Sequence, residues 1–161
     1  MAVTIGVLSD THLKAPDSAL VSLLEGPLCK VDLIVHLGDF VEVEVLELLR
    51  KRPFVGVKGN RDGVSIRGLI PERELLEIEG FRIGLIHGKG PFWGMPFRIR
   101  GLFKEVDAVL FGHTHRPFLG VVDGIIYMNP GAFRRDPLGG FKRRYGILRI
   151  QGRIIGKLCS A

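Results

Sequence analysis

Two histidines, His113 and His115, stand two residues apart in the string Gly112-His113-Thr114-His115, directly behind the apolar run Asp107 to Phe111. A short apolar run entered from a turn and left through glycine reads as a buried strand. The carboxyl end of such a strand is where α/β sheets collect ligands. Extended backbone sends alternate side chains to opposite sides, so the two imidazoles could serve two neighbouring metal ions. One H-x-H string is weak evidence. Here the same arrangement recurs along the chain. The run Ala2 to Leu8 delivers Ser9-Asp10-Thr11-His12, and Val31 to His36 runs into Leu37-Gly38-Asp39. Phe54 to Lys58 leads to Gly59-Asn60-Arg61-Asp62, and Phe81 to Ile86 to His87-Gly88. Carboxylate oxygen, imidazole nitrogen and amide oxygen together make a donor set for borderline divalent ions. Asp39 has two oxygens and could bridge two of them. The order D-x-H, G-D, G-N, H-G, G-H-x-H puts four of the five histidines at strand ends, with Asp10, Asp39 and Asn60. Core packing alone would scatter such groups along the strands. His36 lies upstream of its strand end and reads as a hydrogen-bonded core histidine.

The elements that must position these residues alternate. A helix capped by Asp17 or Ser18 is expected to run to about Leu28, with Leu20, Leu23, Leu24 and Leu28 on one face. A second, Val41 to Arg52, buries Val45, Leu46 and Leu49 and stops at Pro53. Two β-type segments, Glu74 to Ile78 and Phe81 to Ile86, turn at Glu79-Gly80. The stretch Gly90 to Phe97 reads as irregular: a lid, a dimer contact or a loop folded onto the core. Ile99, Leu102, Phe103 and Val106 at helical spacing predict a helix after it. Hairpins follow at Phe118 to Met128 and Tyr145 to Leu158, separated by the basic loop Arg134 to Arg144. Strands alternating with helices imply an α/β fold.

At 161 residues, with 46% hydrophobic and 25% charged residues, the chain is expected to be one globular domain over residues 1–161. No apolar run reaches the ~20 residues of a membrane span, and two cysteines without C-x-x-C spacing suit a reducing cytoplasm. Charge is uneven. Residues 1–80 hold 9 Lys/Arg against 13 Asp/Glu, and residues 81–161 hold 14 against 4, which gives the net +6. The basic half could face an anionic substrate or nucleic acid, or be a solvated surface.

The ordered constellation, together with the Asn129-Pro130-Gly131 turn, resembles the calcineurin-like metallophosphoesterases from Val3 to about Ile150. It looks closest to their small single-domain phosphodiesterase branch of archaea and bacteria. The resemblance implies a four-layer α/β/β/α sandwich with a binuclear metal site at one sheet edge. Carried over by motif, Asp10, His12, Asp39 and His115 would hold one divalent ion, and Asp39 would bridge to a second held by Asn60, His87 and His113. Manganese is the expected metal, with nickel, iron, zinc or magnesium as alternatives. Two such ions would activate a bridging water for in-line attack on phosphorus. Asn60, Arg61 and His87 are the expected catalytic residues.

Two positions depart from the family pattern. Arg61 stands where larger members have His and small ones often Cys. Arginine cannot give up a proton at neutral pH, but it can fork two hydrogen bonds to a phosphate. Lys89 stands where relatives often have a further His, and either contacts phosphate or faces solvent. Diesters with good leaving groups are therefore expected in preference to monoesters. Two other readings remain. One is a scaffold like the retromer subunit that resembles this fold, docking through Phe92-Trp93. The other is a nuclease using the basic half, although aromatics that could stack bases are sparse there. Homo-oligomerisation is compatible with all of these readings.

Overall fold

The computed structural model describes all 161 residues. In chain order the elements are β1 (Val3–Leu8), α1 (Ser18–Glu25), β2 (Leu33–His36), α2 (Val43–Leu49), β3 (Phe54–Gly56) and α3 (Val64–Arg67). The hairpin β4 (Arg73–Ile78) and β5 (Phe81–Ile86) follows, then α4 (Met95–Ile99), which runs into a 3-10 turn at Arg100–Leu102. Four strands and a final hairpin strand complete the chain: β6 (Ala108–Phe111), β7 (Phe118–Val122), β8 (Ile125–Asn129), β9 (Arg144–Ile150) and β10 (Ile154–Ser160). They form two five-stranded mixed sheets, ordered β10-β9-β1-β2-β3 and β4-β5-β6-β8-β7. Strands β1, β2 and β3 are parallel, as are β5, β6 and β8, and the remaining pairings are antiparallel.

The sheets pack face to face. Ile5, Val7, Val35 and Val57 of one meet Ile83, Leu85, Leu110 and Met128 of the other in a fully buried cluster. Leu20, Leu23, Leu46 and Leu49 of α1 and α2 cover the outer face of the first sheet, against Leu8 and Ile34. Met95 and Ile99 of α4 cover the second, against Val109, Phe111 and Tyr127. The layers are therefore α/β/β/α. Central parallel strands are apolar on both faces because both faces are covered, which is why β1, β2 and β6 read as continuous apolar runs. No helix is long and apolar enough to cross a membrane.

Several boundaries differ from the sequence expectation. Helix α1 ends at Glu25, where Gly26 N–H closes the last turn on the Ser22 carbonyl. Leu28 lies beyond it yet is fully buried, so its apolar spacing mimicked a further turn. Helix α2 is shorter at both ends, since Val41 has φ 81°, outside the helical region. Strand β3 stops at Gly56, and Lys58 N–H instead bonds the Pro71 carbonyl at 2.8 Å. Helix α3 follows the turn-like stretch Asn60 to Gly63, whose composition predicts no helix. The helix expected around Ile99 to Val106 is instead α4 plus the 3-10 turn. Pro96 is tolerated in the first turn of α4, where its missing N–H costs nothing. Phe103 is extended, with φ −125° and ψ 139°, and ends the segment.

Because the parallel strands of both sheets open toward one edge, the loops after β1, β2, β3, β5 and β6 meet there. Leu110→Ala should lower stability by about 2–5 kcal/mol, the cost of a cavity in a core that cannot collapse. Val121→Ala, at a residue 67% exposed, should stay within about 0.5 kcal/mol. Urea unfolding curves of the two variants check the contrast.

Candidate metal centre

The five loops bring seven side chains into one cluster. His115 Nε2 lies 3.2 Å from Asp10 Oδ1 and 3.3 Å from His12 Nε2. His12 Nε2 lies 3.7 Å from Asp10 Oδ1 and 3.4 Å from Asp39 Oδ2. On the other side, His87 Nε2 is 2.9 Å from Asn60 Oδ1, 3.5 Å from Asp39 Oδ2 and 3.9 Å from Asp10 Oδ1. His113 Nδ1 is 3.1 Å from the same Asn60 oxygen. Two donor groups with ligand spacing result, Asp10-His12-His115 and Asp10-Asp39-His87. Asp39 Oδ2 faces both His12 and His87, and Asp10 Oδ1 belongs to both groups.

Proton bookkeeping shows what the cluster lacks. His87 Nδ1 is 2.6 Å from the Leu37 carbonyl, His113 Nε2 is 2.8 Å from the Gly90 carbonyl, and His115 Nδ1 meets Asp136 Oδ2. Carbonyl and carboxylate oxygens only accept, so each of these ring nitrogens carries the proton and donates it outward. The opposite nitrogen of each ring then presents its lone pair to the cluster. There it faces other acceptors: the Asn60 oxygen and the carboxylates of Asp10 and Asp39. Asp10 Oδ1 is fully buried with no hydrogen-bond donor. Only positive charge satisfies such a set, supplied by extra protons or by metal ions. The mixed oxygen and nitrogen donors fit divalent transition metals.

Backbone geometry imposes this convergence. Asp10, His12, Asp39, His113 and His115 all have φ between 47° and 69°, a left-handed conformation costly to a side-chain-bearing residue. Neighbours hold it in place. Asp62, 1% exposed, accepts from the N–H groups of Asp39 (3.0 Å), Gly59 (2.8 Å) and Val41 (2.9 Å). Asp10 Oδ2 accepts from Ser9 Oγ at 2.6 Å and His113 N–H at 3.0 Å. Asn129 donates to the Gly112 carbonyl and Thr114 Oγ1, and so fixes the loop between the two histidines. A β-carbon on Gly59 would collide with Asp39 Oδ1, and one on Gly112 with Ser9 Oγ. These two glycines let the carboxylates seat against bare backbone.

Asp62, Ser9 and Asp136 were not singled out from sequence. Asp62 sat in a composition typical of any turn. Asp136 reaches His115 from the basic loop, 21 positions away, and no motif spacing marks it. His36 is fully buried, as expected for a core histidine. Its Nδ1 accepts from Gly38 N–H at 3.1 Å, so Nε2–H donates to Thr11 Oγ1 at 3.2 Å, and the ring stacks on Phe40. Burial holds its pKa down at about 3, so it stays neutral. Arg61 is exposed, and its main-chain N–H donates to Asp39 Oδ1 at 2.8 Å. Lys89 is exposed on the wall of a cavity that also includes Asn60 and His87.

The charges are strongly coupled. Burial opposes ionisation of Asp10, but the imidazoles of His115 and His12 beside it hold its carboxyl well below the usual carboxylate range. Burial likewise opposes charge on Asp39, and His87 beside it outweighs that and lowers the pKa. Against its own burial His87 is raised, by Asp39 first. Burial works against the charged His115 too, yet Asp10 and Asp136 raise it to about 9. At neutral pH, therefore, His115 carries a proton where a metal ion would sit, and metal uptake must expel it.

Comparison with known proteins points one way. Residues 3–153 match the calcineurin-like phosphoesterase superfamily domain. A probable metallophosphoesterase of Methanocaldococcus jannaschii is 39% identical over 132 residues, spanning 80% of this chain and 67% of that protein. A protein of the same organism named a phosphodiesterase is 26% identical over 141 residues, 79% of this chain and 82% of its own. The structure of vacuolar protein sorting 29 from Cryptosporidium parvum superposes with a TM-score of 0.77 at 20% identity, covering 99% of this chain and 98% of that one. That likeness is one of fold.

The raised histidine has a consequence for stability. A group with its pKa lifted from 6.5 to about 9 on folding stabilises the native state fully below pH 6.5, and that contribution is lost as pH rises through 9. His87 is shifted in the same direction, whereas the lowered groups Asp10, Asp39 and His36 act below pH 6.5. Metal-free protein should therefore lose about 1–2 kcal/mol between pH 6.5 and 9, solvent screening having reduced the full linkage value. Protein saturated with manganese, whose ligands are already deprotonated, should show no such slope. Urea denaturation at the two pH values, with and without chelator, reads both.

Proposed function

We propose that this chain, which belongs to the calcineurin-like phosphoesterase superfamily, is a metal-dependent phosphodiesterase whose residues 1–161 work as one cytoplasmic catalytic domain. The observation that carries the reading is the buried, donor-free Asp10 Oδ1, facing imidazole lone pairs on one side and the shared Asp39 oxygen on the other. Asp10, His12, Asp39 and His115 would hold one divalent ion, and Asp39, Asn60, His87 and His113 a second. Manganese is the best candidate for this oxygen and nitrogen set, with nickel, iron, zinc or magnesium as alternatives. When bound, such a pair supplies Lewis-acid activation of water and neutralises charge on the phosphate.

The chain's own residues do the rest. Asp136 takes the outward proton of His115, and the carbonyls of Leu37 and Gly90 take those of His87 and His113, so each ring is locked in the tautomer that presents its lone pair. Asn60 joins His87 to His113 through one amide oxygen. Arg61 keeps Asp39 in place through its main chain, and its exposed guanidinium is free to fork onto a phosphate oxygen. Lys89 adds a point charge at the rim. A guanidinium cannot give up a proton to a poor leaving group at neutral pH, which favours diesters with good leaving groups. The pairing of β9 with β1 draws the end of the chain into the sheet that carries Asp10, which supports a single domain. Two free cysteines, Cys29 and Cys159, support a reducing compartment.

One observation favours a second reading. Phe92, Trp93 and Phe97 are 43%, 65% and 61% exposed, an apolar patch of the kind that docks proteins. On that reading the chain is a metal-binding scaffold without turnover.

With added manganese, bis-para-nitrophenyl phosphate should be hydrolysed faster than the monoester. Asp39→Asn should lower kcat/KM for the diester by about 10²-fold or more and cut bound metal in parallel. Asp136→Ala should cost about 10–100-fold in metal affinity, because the imidazole loses the acceptor that sets its tautomer. Tight metal binding with no ester hydrolysis would select the scaffold reading instead.

A further inference from the structure

Beside the cluster, on the side of Asn60 and His87, lies a cavity of about 860 Å3. Its wall carries five cations, Lys58, Arg67, Arg73, Lys89 and Arg98, against one carboxylate, Glu72. None of the five forms an ion pair. They come from five separate places: the loop after β3, α3, the start of β4, the loop after β5, and α4. Three lie in the acidic half of the sequence, so the charge imbalance between the halves gave no hint of this site.

Like charges drawn together from separate segments repel unless an anion lies among them. Lys58 and Lys89 donate no side-chain hydrogen bond, whereas the Arg98 guanidinium is committed to the Trp93 and Pro91 carbonyls. Arg67 spends one N–H on the Asn60 carbonyl at 3.4 Å and Arg73 one on the Leu102 carbonyl at 3.2 Å. The remaining fork of each guanidinium can still grip a phosphate. A scissile diester carries a single negative charge, and it would sit at the cluster itself. Five further cations exceed what that one charge needs. Ile86, Ile99 and Leu102 complete the wall and leave room for an uncharged portion. The volume is that of a site for a discrete ligand of a few hundred Å3, rather than of a groove tracking a strand.

We propose that this cavity seats an additional phosphate of the substrate, so that the chain acts on small, dinucleotide-sized phosphodiesters carrying at least one phosphate besides the scissile one. This rests on the reading of the adjoining cluster as a phosphodiesterase site.

The test compares a dinucleotide bearing a 5′-phosphate with the same dinucleotide lacking it. Wild-type protein with manganese should show at least about a tenfold higher kcat/KM for the phosphorylated substrate, the scale of a charge-assisted fork. Arg67→Gln/Arg73→Gln should bring the ratio near one, and Glu72→Gln, which removes the cavity's only anion, should raise it. Calorimetric binding of the two dinucleotides to metal-free protein should show the same order without any turnover. Equal kcat/KM values and equal affinities in the wild type would overturn the proposal, as would a preference that survives the double variant. If neither dinucleotide nor bis-para-nitrophenyl phosphate is cleaved, the phosphodiesterase reading fails, while the calorimetric difference still decides whether the cavity takes the added phosphate. A twenty-residue oligothymidylate binding more tightly than the phosphorylated dinucleotide would replace the small ligand with a polymer.

Discussion

Acceptors that face acceptors cannot stay so without positive charge between them, and that constraint governs the open edge of this fold. Three imidazoles commit a proton outward, to the Leu37 and Gly90 carbonyls and to Asp136. Their other nitrogens meet Asn60 and the carboxylates of Asp10 and Asp39, and Asp10 Oδ1 has no hydrogen-bond partner. Removing these groups from water is costly unless the charge is balanced. The raised His115 and lowered Asp10 express that balance struck with protons.

The scaffold is built to enforce the convergence. Five of the seven cluster residues sit in left-handed backbone, a conformation each would leave if free. The parallel strands hold it by ending together, and local devices finish the work: Asp62 gathers three backbone N–H groups under Asp39, while Gly59 and Gly112 give the carboxylates bare backbone to lie on. Two sheets buried on both faces supply the rigidity against which such strain can be kept.

Much of this was legible in the sequence, for a physical reason. A parallel strand covered on both faces is an uninterrupted apolar run, so its carboxyl end is visible wherever the run breaks at glycine or a polar residue. Asp10, His12, Asp39, Asn60, His87, His113 and His115 all stand at such breaks, and the structure gathers all seven. What supports them was not legible. Asp62 and Asp136 act through tertiary contacts that no local spacing records. The left-handed backbone at His12 or His115 leaves no compositional trace, since neither is glycine. Around α4 the helical spacing of Ile99, Leu102, Phe103 and Val106 was a misleading guide: Phe103 is extended and packs on the second sheet, and Leu102 is 42% exposed. No local spacing marks Arg67 and Arg73, which the fold places on one cavity wall.

The seven side chains at this edge are proposed as a seat for two cations. Anomalous diffraction from manganese-soaked crystals tests this most directly. Two peaks are expected, one among Asp10, His12 and His115 and one among Asn60, His87 and His113, with the Asp39 carboxylate between them. Crystals with no peak at that edge, or with the imidazole rings turned away from one another, would contradict it.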